Sequence, residues 1–147
     1  MSAAPDRQLV RATLGRRLLA MLYDALLVFA LAFFAGLAFY AVAGEARSPL
    51  ERHLFQAYLL VVLGGYFVLC WCRGGGTLAM RTWKLRLVRT DGGPPRAGQA
   101  WLRYALAWPS IGLAGAGVLW ALVDRDRQFL HDRLARTRIV MDPARAA

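Results

Sequence analysis

The stretch RRLLAMLYDALLVFALAFF (residues 16–34) decides the fold. From Leu18 onward it is apolar except for one carboxylate, Asp24, seven positions after Arg17. The run continues to Ala43, and Asp24 is the only charge in residues 18–43. Such a segment exceeds the ~20 residues with which an α-helix crosses the hydrocarbon core of a bilayer. An unpaired carboxylate inside it costs several kcal/mol, so Asp24 must face a packed interior and have a polar partner.

Working outward, residues 54–72 and 104–123 carry no charge at all. The 147-residue chain is 58% hydrophobic, and yet it holds 19 Lys+Arg against 9 Asp+Glu, a net charge of +10. A soluble domain of this length needs a more polar surface. Segregation of charge away from three apolar stretches predicts a small multi-pass α-helical membrane protein. Its basic flanks then face anionic lipid headgroups, and there is no basic stripe on a soluble domain of the kind nucleic acid requires. Eighteen of the basic residues are Arg and only Lys84 is Lys, which, with abundant Ala and Gly, points to a GC-rich bacterial genome.

The pattern predicts helices over 18–43 and 54–72, a polar segment over 73–103, a third apolar stretch over 104–123 and a C-terminal tail over 142–147. Residues 1–17 form a basic lead-in. Arg16 and Arg17 resemble the basic start of a signal peptide, but the apolar segment is longer than the usual ~7–15 residues and contains Asp24, so the helix is expected to be retained. The loop 44–53 is balanced in charge, whereas 73–103 holds seven Lys/Arg and one Asp. Positive-inside logic therefore puts the N-terminus and 73–103 in the cytoplasm of a bacterial inner membrane. The third stretch contains Pro109, Gly112, Gly115 and Gly117. It reads either as a kinked crossing or as a re-entrant hairpin. Residues 84–90 and 137–141 have strand-like character, and their pairing would hold both on the cytoplasmic side. Gly112–Gly117 offers small residues for packing against residues 32–36 or against a second copy.

Other residues carry less. Cys70 and Cys72 point to different helix faces, and His53 and His131 are isolated, so neither metal nor cofactor is expected. Gly74-Gly75-Gly76-Thr77 lacks the Lys-Ser/Thr ending of a phosphate loop and reads as a helix stop. His131-Asp132 has no nucleophile motif beside it, so no catalytic residue is assigned and no enzyme activity is expected.

Four motifs in order resemble one family of small prokaryotic membrane proteins, the RDD family, named for an Arg and two Asp. RLLAMLYD (17–24) resembles its first-helix motif, GGTLAMRTWKLRLVRTDGG (75–93) the stretch after its second helix, WLRYAL (101–106) its Arg before the last apolar segment, and LHDRLARTRIV (130–140) its closing motif. The resemblance covers roughly residues 11–141. It implies Arg17, Asp24 and Asp132 as signature residues, with Arg103, Arg81, His131, Thr77 and Thr137 in support. Ala79 and Arg136 stand where the family usually has Gly. For some members the resemblance implies cation/proton or small-solute transport.

On this reading Arg17 or Arg103 is the partner of Asp24, with Arg81 as a third candidate, and Asp132 pairs with Arg81 or Arg86. Two functions follow from different classes. In one, Asp24 is a proton or cation site of an oligomeric transport component. In the other, Asp24 and its arginine are a structural staple in an accessory protein that scaffolds a membrane partner through its basic cytoplasmic face.

Overall fold

The computed structural model describes residues 12–45, 48–113, 115–125 and 128–142. Most of the N-terminal lead-in and most of the C-terminal tail lie outside these residues. Two long helices come first: α1, Leu14–Ala43, and α2, Pro49–Gly74. Both are long and apolar enough to cross a membrane. The start of α2 follows from its sequence. Ser48 accepts from Glu51 N while Glu51 accepts from Ser48 N, and Pro49 fills the first turn, where no N–H is needed. Its end follows from Gly75, at φ 69°, which takes the left-handed position a side chain disfavours.

The polar segment 73–103 carries the strand expected within 84–90 and two helical pieces beside it. It contains a short helix α3, Leu78–Thr82, the strand β1, Leu85–Arg89, and the beginning of α4, Ala97–Gly112. The third apolar stretch is two helices, not one kinked rod. α4 ends at Leu113, and α5, Ala116–Val123, starts after Gly115 at φ 74°. α5 folds back on α4 so closely that a Cβ at Gly117 would meet Ser110 Oγ. Gly117 therefore serves this reversal, while Gly36 of α1 sits against Phe55 of α2.

The chain then forms α6, Leu130–Leu134, and β2, Thr137–Met141. β2 pairs antiparallel with β1, Leu85 opposite Met141 and Arg89 opposite Thr137, so the fold is helical with one small sheet rather than all-α. α3–β1 and α6–β2 are one unit used twice. Lys84 (φ 56°) and Arg136 (φ 54°) make the same left-handed step into each strand, and Leu87 faces Ile139 at the centre of the pair. Leu87 N donates to Gly75 O at 2.7 Å, which fastens this cap to the end of α2.

The densest core lies in the cap. Leu85, Leu87, Val88, Val140 and Phe129 are fully buried there. Along α1 the pattern is inverted: Leu22, Phe29 and Val42 are 64%, 74% and 91% exposed. Contiguous apolar surface on this scale marks a face made for a non-aqueous neighbour.

The α4–α5 reversal gives a direct prediction. Gly117→Ala drives a methyl into Ser110 and should destabilise by about 1–3 kcal/mol. Gly65→Ala, which meets nothing within 4 Å on α2, should be neutral or stabilising by about 0.5–1 kcal/mol. Thermal melts in detergent compare the two; equal melting temperatures would refute the close packing.

Candidate functional site

The polar residues singled out above gather where the cap meets α1, α2 and α4. Arg103 projects from the second turn of α4, and its Nε donates to Asp132 Oδ1 on α6 at 2.5 Å. The pair is buried, and the guanidinium carbon lies 4.2 Å from the centre of the Trp71 ring on α2. Arg103 thus satisfies a carboxylate on one side and an aromatic face on the other. Asp132 accepts from Arg103 and not from Arg81 or Arg86, because α6 docks on α4 and leaves both arginines outside. Arg81 is exposed and lies over Gly74, where a Cβ would touch its guanidinium.

Asp24 takes its hydrogen bond from neither Arg17 nor Arg103. Thr77 Oγ1 donates to Asp24 Oδ2 at 2.7 Å and accepts from Met80 N at 3.2 Å, capping α3 with the same oxygen. Arg17, two turns before Asp24, is buried and donates from Nη2 to Ile139 O of β2 at 3.2 Å. Thr137, fully buried, donates to Asp132 O at 3.3 Å. Arg17, Asp24 and Asp132, with Arg103, Thr77 and Thr137, therefore tie a helix to the cap or one part of the cap to another, whereas Arg81 does not.

His131 is buried beneath Phe129, with Nδ1 3.2 Å from Ser110 Oγ on α4 and Nε2 3.7 Å from Asp132 Oδ1. Burial lowers its pKa to about 4, Asp132 opposing and Arg103 assisting. Ser110, His131 and Asp132 resemble a hydroxyl–imidazole–carboxylate relay in order only. The carboxylate oxygen is engaged by Arg103, and an imidazole at about 4 is far from the poise a general base needs at neutral pH. Ser110 and Trp71 were missed from sequence. The one signal for Ser110 was a hydroxyl within an otherwise apolar stretch.

Between α1 and α4, floored by Phe67 and Trp71 of α2, lies a cavity of about 380 Å³. Its walls are mostly apolar, with Arg17, Asp24, Arg103 and His131 at the cap end. That size lies within the range of small-molecule sites.

Two outcomes follow. Asp132→Ala leaves Arg103 charged and buried without its carboxylate, which should cost about 3–5 kcal/mol. Thr77→Val should cost only about 1–3 kcal/mol, since it removes one neutral donor and one cap. A melting series that ranks Thr77→Val as the worse of the two contradicts this assignment. Secondly, His131 is held neutral in the fold and takes up a proton near 6.5 when unfolded. Its contribution is complete above pH 6.5 and is lost as pH falls toward 4, with a slope approaching ~1.4 kcal/mol per pH unit. His131→Gln should flatten the stability profile between pH 6.5 and 4.

No curated protein and no solved structure matches the chain. The model of the RDD family matches residues 11–136, from the lead-in to α1 through Arg136 before β2. That span takes in Arg17, Asp24, Arg103 and Asp132 together with the elements that position them, and the chain belongs to the RDD family.

Proposed function

We propose that this protein is a non-enzymatic, multi-pass protein of the bacterial inner membrane. Its N-terminus and cap are cytoplasmic, and it acts as a structural or accessory component that presents a basic face to a membrane partner. The observation that carries this reading is the closure of the signature residues on one another. Thr77 holds Asp24, Asp132 holds Arg103, and Ile139 holds Arg17, all at one end of the helices. Groups engaged in this way staple a cap to a hairpin. The cap displays Arg81, Lys84, Arg86 and Arg136 outward, complementary to anionic headgroups or to an acidic surface.

A second reading, a component of cation/proton or small-solute transport, is favoured by one observation. Asp24 lines the 380 Å³ cavity, and its Oδ1 has no hydrogen-bond partner. Two long helices and a reversing pair do not enclose a polar channel, so transport on this reading requires a homo-oligomer or a second membrane protein.

Asp24→Asn separates the two. A scaffold shows no proton-coupled flux in proteoliposomes as wild type, and the substitution lowers folded yield or partner recovery. Wild-type flux abolished by Asp24→Asn, with yield unchanged, overturns the scaffold. The orientation is tested by Arg96→Cys and Arg145→Cys in a background without Cys70 and Cys72. Both should react with a membrane-impermeant thiol reagent from the cytoplasmic side alone.

A further inference from the structure

A second cavity, of about 280 Å³, opens on the cap. Four arginines line it: Arg17 from the start of α1, Arg133 from α6, and Arg136 and Arg138 from the approach to β2 and its body. Thr90, Gln128 and Thr137 supply neutral polar groups, and among the described residues no carboxylate lines it. Arg133 is already held by Asp124. Among the described residues Arg136 and Arg138 have no carboxylate partner, and the Nε of Arg138 is buried without a hydrogen bond. A buried guanidinium donor left open is costly unless something outside the chain accepts from it.

Arg136 stands at φ 54°, the left-handed step it shares with Lys84, so a glycine at this position would relieve the backbone. The planar guanidinium offers paired donors that match the oxygens of a phosphate group, and clustered arginines without acids raise the local concentration of anions.

We propose that this cavity is a phosphate-binding site, with Arg136 and Arg138 as its principal ligands and Arg133 at its margin. The phosphate belongs either to an anionic lipid headgroup or to a free phosphoanion. The site adjoins the cavity that contains Asp24, sharing Arg17 and Ile139 with it, but the proposal does not depend on whether the protein transports.

The test uses the full chain purified in detergent. Thermal shift is measured with inorganic phosphate against chloride at equal ionic strength, and native mass spectrometry follows retention of phosphatidylglycerol against phosphatidylcholine. Wild type should be stabilised by phosphate, or retain phosphatidylglycerol selectively. The first alone identifies a free phosphoanion, the second alone a lipid headgroup. Arg136→Gly and Arg138→Gln should each weaken the response about tenfold or more. Arg136→Gly relieves the backbone, so its melting temperature without ligand should be unchanged or higher, which separates lost binding from lost folding. The proposal is overturned if wild type responds to neither probe. It is equally overturned if Arg136→Gly binds as well as wild type.

Discussion

The contact on which the rest of the structure leans is the buried ion pair between Arg103 and Asp132. Each member lies on a different helix, and neither can be left behind without an uncompensated charge, so α4 and α6 are compelled to meet. From that meeting the arrangement propagates. Asp132 O accepts from Thr137, which sets the first residue of β2. β2 in turn presents Ile139 O to Arg17 of α1. Trp71, beneath Arg103, brings in the end of α2. A single pair thus orders elements far apart in the chain, because each backbone group it fixes is the partner of the next side chain.

The second constraint is the repeated helix–strand unit. A two-stranded sheet alone is marginal in water. Here both strands follow a short helix through the same left-handed step, and Leu87 and Ile139 meet at the centre of the pairing. Leu85, Leu87 and Ile139 then share one core with Phe129 and Met80. This explains why a chain so apolar in its helices keeps its best-packed interior in its most basic segments. The helices turn large side chains outward, whereas the cap is where apolar groups are enclosed by protein.

Much of this was legible in the sequence, and the failures share a cause. The long helices follow from uninterrupted apolar runs, and the strand pairing from alternation in 84–90 and β-branched residues in 137–141. The partners of the charged residues did not follow. Arg103 was a reasonable partner for Asp24 by depth alone, since both lie near the same end of their helices. What redirected it was the docking of α6, a five-residue helix with no periodicity long enough to be read. Thr77 was recognised as a motif residue but not as the group that satisfies Asp24, because a hydroxyl gives no charge signal. The Pro and Gly residues of 104–123 did signal a reversal as one of two alternatives, but not that Gly117 of α5 would close on Ser110 of α4.

The position of Asp24 along α1 follows from its partner on the cap. At ~1.5 Å per residue it lies about 15 Å beyond Leu14, the first residue of α1, roughly a third of the way along the helix. A residue placed to accept from Thr77 has no choice, because α3 begins just past the glycine turn that ends α2. One hydroxyl oxygen there must accept from Met80 N and donate outward, and its single proton needs an acceptor within reach on the neighbouring helix. A carboxylate one turn higher or lower on α1 would miss it by about 5 Å. The depth of Asp24 is therefore set by the cap.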